Sequence, residues 1–167
     1  MIALKCAFVL ILLVIIVGGI LSVTYIVRKS KADKISFLES FHLTGFPILT
    51  FLVGEHKVNF LLDSGANGCS IDESVLEYIP HKKASYKQHQ HYVGGESKLL
   101  EACELTFHYR DHEYKGDFLI GDYSEHFNAI KSSTGVTIHG IIGTDFFSSY
   151  NYVLDFAEMV AYSKKRQ

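Results

Sequence analysis

The chain has 167 residues, a formal net charge of −2 and 48% hydrophobic residues, enough for one well-buried domain and too few for two. Charged residues make up 20% and proline occurs only twice, which excludes a disordered chain and a proline-rich stalk. Beyond residue 34 there are 11 Lys and Arg against 17 Asp and Glu, a formal charge of −6, so this part has no electrostatic footprint for nucleic acid.

Residues 1–34 read as an anchor with a basic flank. From Cys6 to Val27 there is no charged side chain, and about 20 apolar residues suffice to cross a hydrocarbon layer ~30 Å thick. A signal peptide has an apolar run of only ~7–15 residues before a small-residue cleavage site. This run is longer and ends in Val23-Thr24-Tyr25-Ile26-Val27, so an uncleaved, single-pass span in the bilayer over residues 6–27 is expected. Lys5 flanks one end, whereas Arg28, Lys29, Lys31 and Lys34 follow the other. The positive-inside bias then places the C-terminal part on the cytoplasmic side of the cell membrane. Cys69 and Cys103 are the only thiols beyond the anchor, which suggests no disulfide framework and suits a reducing compartment.

Residues 35–46 read as a linker, and residues 47–163 as the folded domain, followed by a basic tail at 164–167. Two β-rich runs meet at a short turn, Gly54-Glu55-His56. In the second run Val58, Phe60 and Leu62 alternate with Lys57, Asn59 and Leu61, and the strand ends directly at Asp63-Ser64-Gly65. Asp72 is placed to cap a short helix over Glu73 to Tyr78, ended by Pro80. Val93-Gly94-Gly95-Glu96 reads as the tip of a second hairpin. β-like segments follow at Ala102 to Tyr109 and Glu113 to Ile120, then a loop or helical turn over Ser124 to Lys131 and an apolar block, Val136 to Phe147. A last hairpin spans YVLDFAEMVAY. Many short strands with little helix predict an all-β sandwich or closed barrel.

The residues that could carry chemistry are few. Asp63-Ser64-Gly65-Ala66 at a strand end exposes a carboxylate with hydrogen-bond donors beside it, although Asp, Ser and Gly are also ordinary turn residues. His89 and His91 share a strand face and His108 and His112 lie four apart, but no Cys pair or helical spacing supports a metal site, and solvated strand histidines are the simpler reading. Asp145 and Asp155 read as a helix N-terminal residue and a hairpin residue, and Cys69 as a buried small hydrophobe.

Three features in order resemble the retropepsin-like aspartic proteases. They are Leu61-Leu62-Asp63-Ser64-Gly65-Ala66, the glycine-tipped Tyr92-Val93-Gly94-Gly95 about thirty residues on, and Ile141-Ile142-Gly143 followed by a short helical segment at Asp145 to Ser149 and a strand pair around Val153-Leu154-Asp155-Phe156. The resemblance covers roughly residues 47 to 162. It implies a single-lobe acid-protease barrel with one or two short helices, here preceded by a transmembrane helix as in a membrane-anchored bacterial-type member, and it implies no metal or organic cofactor. It also implies a homodimer. Two carboxylates ~3 Å apart cannot both ionise, and their shared proton lets one act as base and the other as acid. One Asp-Ser-Gly per chain means that the second carboxylate comes from a second copy.

By this resemblance Asp63 is the catalytic residue, and Ser64, where the family often has threonine, braces the two active-site loops. Gly65 and Ala66 complete the loop, Val93, Gly94 and Gly95 form the flap, and Ile141, Ile142 and Gly143 form the second conserved-type element. The substrate is a protein or peptide. The alternative is a catalytically silent module of the same fold that binds extended peptides or regulates a membrane partner.

Overall fold

The computed structural model describes residues 13–23, 34–91 and 97–164. Two compact units emerge, residues 1–35 and residues 36–167. In the first, residues 13–23 form a helix (α1) whose apolar side chains, among them Leu13, Val14, Ile15 and Leu21, are exposed. Among the described residues no helix is long and apolar enough to cross a membrane. The remainder of the expected span, residues 6–12 and 24–27, lies outside the described residues, as does the tail from residue 165. β1 (Lys34–Ser36) straddles the boundary between the units.

The stretch read as a linker carries a helix, α2 (Leu38–Thr44). Phe37 just before it is buried, its ring 5.5 Å from Phe156 in an edge-on contact, and its N–H donates to the Met159 carbonyl at 3.0 Å. The packing partner is more than a hundred positions away, so no local pattern announces this helix. Gly45 ends it in the left-handed conformation, φ +76°.

Among the described residues nine strands, β2 to β10, and few helices make the second unit predominantly β. β2 (Ile48–Val53) and β3 (His56–Leu62) form the expected hairpin, with Ile48 opposite Leu61 and Val53 opposite His56. Val58, Phe60 and Leu62 are all buried, whereas Lys57, Asn59 and Leu61 are exposed or half-buried, as the alternation predicts. β4 (Cys69–Asp72) is buried throughout and leads into a 3₁₀ turn at Glu73–Glu77, which Asp72 caps by accepting from Ser74 N–H at 3.1 Å. β5 (Lys82–His91), β6 (Ser97–Tyr109) and β7 (His112–Gly121) follow in antiparallel succession. α3 (Ser124–Thr134) replaces the expected loop or single turn, and α4 (Thr144–Ser149) follows β8 (Gly140–Ile142). β9 (Tyr152–Asp155) and β10 (Val160–Ser163) form the closing hairpin. These helices exceed the one or two short ones expected. α3 is longer because Phe127 and Ile130 on its inner face pack with Ile48, Tyr123 and Ile138 in a second apolar cluster.

The sheet order is β2-β3-β8-β4-β7-β6-β5, and Leu52 of β2 meets His108 of β6, curling the sheet toward a closed barrel. Aromatic rings fill the interior. Phe107 lies 5.3 Å from Phe51, 5.8 Å from Phe60 and 5.7 Å from both Phe118 and Phe146, mostly edge-on or tilted, the arrangement that aromatic quadrupoles favour.

Candidate active site

The topology around Asp63 follows from β8. This three-residue strand runs parallel to β3, pairing Leu62 with Ile142, and antiparallel to β4, pairing Ser70 with Ile141. β3 and β4 are consecutive in the chain yet not neighbours in the sheet, because β8 lies between them. The connection 63–68 must therefore cross the end of β8 instead of closing a hairpin, and it does so on a lattice of hydrogen bonds to the residues that follow β8. Asp63 N–H donates to the Ile142 carbonyl at 3.0 Å, Thr144 N–H to Ala66 at 2.9 Å, and Asp145 N–H to Asn67 at 3.1 Å. The Thr144 hydroxyl adds bonds to the Ala66 and Asn67 carbonyls at 3.1 and 3.0 Å.

Close approach makes two glycines obligatory here. A Cβ on Gly143 would sit 2.8 Å from the Ala66 carbonyl oxygen and closer still to the Gly68 carbonyl, and one on Gly140 would come 2.5 Å from the Ser70 carbonyl and 2.9 Å from the Phe60 ring. Backbone cannot yield as a flexible side chain does. α4 is rooted in the core by Phe146, which packs against Phe107, Tyr114 and Tyr152. The frame that holds the Asp63 loop is thereby tied to the aromatic interior.

Asp63 is half-buried, and its Oδ1 accepts from Gly65 N–H at 2.8 Å, an arrangement that fixes the carboxylate plane. Ser64 and Gly65 are exposed beside it and Ala66 is half-buried. Ile141, Ile142 and Gly143 are brought directly to the loop, as the bonds above show. Val93, Gly94 and Gly95, read from the sequence as the flap, lie outside the described residues, and the strands that lead to them, β5 and β6, are present.

Thr144 and Asp145 were not singled out by sequence reasoning as parts of this site. Asp145 does stand in the first turn of α4, its Oδ1 accepting from Phe146 N–H at 2.6 Å, and that oxygen also accepts from the buried Cys69 thiol at 3.2 Å. Burial, reinforced by the Asp145 charge, pushes the Cys69 thiol far up, so it stays protonated and serves as a donor. The one available signal was position, immediately after Ile141-Ile142-Gly143. Of the histidines read as strand residues, His108 Nε2 lies 3.2 Å from Glu113 and His89 Nδ1 3.1 Å from Ser97 Oγ.

The mostly β architecture with few helices matches a retropepsin-like fold. Among solved structures, EIAV protease complexed with the inhibitor HBY-793 aligns with a TM-score of 0.50 and 18% sequence identity, over 66% of this chain and 93% of that one. At that identity the likeness speaks for the fold. No family model and no curated protein matches the sequence.

Proposed function

We propose that the chain is an aspartic endopeptidase that hydrolyses peptide bonds as a homodimer, with one Asp63 from each copy. The observation that carries this reading is the placement of the Asp63 carboxylate, half-buried, oriented by Gly65 N–H and standing on a loop braced by five hydrogen bonds from and to Ile142, Thr144 and Asp145. A two-fold axis beside that loop would set two such carboxylates around one water. One would take the water's proton as the oxygen attacks the scissile carbonyl, and its mate would donate to the departing amine. Ser64 would brace the paired loops, Gly65 and Ala66 would let the substrate backbone approach, and Val93, Gly94 and Gly95 would close over it to exclude water.

In the same reading residues 6–27 anchor the chain in the cell membrane as a single-pass span with the domain in the cytoplasm. Confinement to a membrane raises the effective concentration of a weakly dimerising domain. A cytoplasmic site works near neutrality, and a rate found only at about pH 3–4 would count against that placement.

The test is cleavage of a diverse peptide library by the full chain in detergent micelles, beside Asp63→Asn and mixtures of the two. Wild type should cleave and Asp63→Asn should not. If both carboxylates of an exchanging dimer are needed, an equal mixture should retain about a quarter of the wild-type rate at fixed total protein. A rate linear in the wild-type fraction would overturn the shared site. No cleavage by a folded, dimeric wild type would leave the peptide-binding module as the reading.

A further inference from the structure

Strand β4 and a run of hydrogen bonds at its far end link the Asp63 loop to the β5–β6 hairpin through residues that have no role in the reading above. Pairing divides β6 in two. Ala102–Tyr109 pairs with β7, whereas Ser97–Glu101 pairs with Lys87–His91 of β5 alone. The outer part of the hairpin is thus a two-stranded arm beyond the sheet, and a two-stranded ribbon is marginally stable in water by itself. Contacts with the body have to set its orientation.

Tyr123, in the turn between β7 and α3, supplies such a contact. Its phenolic O–H donates to Gln90 Oε1 on the arm at 2.6 Å. The tyrosine is held from three sides. Its ring stacks on Phe127 with centroids 5.7 Å apart, it lies across Gly121, where a Cβ would come within 3.0 Å of the ring, and its N–H donates to Asp72 Oδ2 at 2.8 Å. Asp72 is only 5% exposed, and its other oxygen accepts both the N–H and the hydroxyl of Ser74. Its own N–H donates to the His139 carbonyl at 2.9 Å, just before β8. Asp72 also ends β4, the four-residue strand that leaves the Asp63 loop at Cys69. Beside Tyr123, the Asp122 carboxyl is held below its usual range chiefly by hydrogen bonds from Ser124, and Lys98 on the arm's second strand adds to this. The Tyr123–Gln90 bond thus fastens the first strand of the arm to this turn.

We propose that Tyr123 is a positioning residue, a fixed post on which Gln90 docks so that the β5–β6 arm keeps one orientation relative to the Asp63 loop. The inference rests on the peptidase reading in taking this hairpin as the flap of the site. The docking itself is a matter of local geometry and has its own readout. Removing one such hydrogen bond should loosen the arm about fivefold.

Hydrogen exchange on the full chain in micelles provides that readout, with cleavage kinetics alongside. Tyr123→Phe keeps the ring and loses the donor, Gln90→Leu loses the acceptor, and Gln90→Glu keeps an accepting oxygen. The first two should speed exchange at Lys87–Gln90 and Lys98–Glu101 about fivefold, leaving β4 and α3 as in wild type, and Gln90→Glu should behave as wild type. KM should rise about fivefold in the first two variants, with kcat within about twofold. Unchanged exchange in the arm would overturn the proposal. So would equal loosening of β4 and α3, which would mark Tyr123 as a mere core residue, or a loosened arm with unchanged KM in an active enzyme. If wild type cleaves nothing while exchange follows the expected pattern, the docking stands and the peptidase reading falls.

Discussion

A single methyl group added at Gly143 reports on how tightly the Asp63 loop is framed. Gly143 has φ −101° and ψ −170°, an extended conformation open to any residue, so alanine brings no backbone strain. By restricting the unfolded chain it should even add about 0.5 kcal/mol of stability. The opposing effect is steric, because the new Cβ would meet the Ala66 carbonyl oxygen at 2.8 Å and the Gly68 carbonyl more closely still. Both obstacles are backbone, and the Thr144 and Asp145 bonds to Ala66 and Asn67 hold the loop that carries them. Overpacking of this kind costs about 1–3 kcal/mol, and with the upper part of that range the net loss is about 2 kcal/mol. At about 4 °C per kcal/mol for a domain of this size, Tm should fall by roughly 8 °C. Gly135→Ala is the control. Nothing lies within 4 Å of its Cβ, but φ is +76°, so only the left-handed backbone is penalised, by about 1 kcal/mol. Thermal unfolding followed by circular dichroism should rank Gly143→Ala below Gly135→Ala, and only Gly143→Ala should disturb peptide cleavage out of proportion to stability. A Gly143→Ala protein that melts within about 2 °C of wild type would refute the close packing inferred for this loop.

Two further outcomes can be checked by urea unfolding. Tyr150 accepts from Lys115 N–H at 2.7 Å and donates to the Lys115 carbonyl at 2.9 Å, so Tyr150→Phe should lose about 2 kcal/mol and lower the midpoint without changing the slope. Burial pushes the His139 imidazole below its usual pKa of 6.5, and its Nδ1 accepts from Asn59 N–H at 2.8 Å. As pH falls through about 6.5 the unfolded chain takes up a proton that the folded one refuses, so stability is lost on the acid side and regained above. His139→Asn, with an oxygen to accept from Asn59, should flatten that part of the pH dependence. An unaltered slope between about pH 7.5 and about pH 5.5 would show that His139 does not produce it.

Local pattern and long-range pairing divide what the chain discloses. The β2–β3 hairpin, the Asp63 turn, the Asp72 cap and the closing hairpin are each written in a few consecutive residues, as alternation, a turn glycine or a capping carboxylate, and all can be read there. The three-residue β8 cannot be placed in the same way. Its apolar run is evident, but its position between β3 and β4 depends on residues some eighty positions earlier, where Gly140 and Gly143 fit against Ser70, Ala66 and Gly68. α2 was hidden for a related reason, since Phe156 and Met159 give it its packing partners. The bonds from Asp72 to Tyr123 and from Tyr123 to Gln90 join side chains and backbone from three separate segments. No single window of sequence contains them, so the Asp63 turn and the Ile141-Ile142-Gly143 run were legible and the bonds that tie the β5–β6 hairpin to the body were not.

The insertion of β8 between two strands made far earlier also sets an order of events in the life of the chain. Loop closure over such a separation is slow relative to hairpin formation. A growing polypeptide that has emerged through β4 already carries Asp63, Ser64 and Gly65, but the carbonyl of Ile142 and the amides of Thr144 and Asp145 that frame them have not yet been made. Nascent or C-terminally clipped chains thus bear the carboxylate without its scaffold. Organisation of the loop therefore waits until residues 140–145 have been made and depends on that segment being intact.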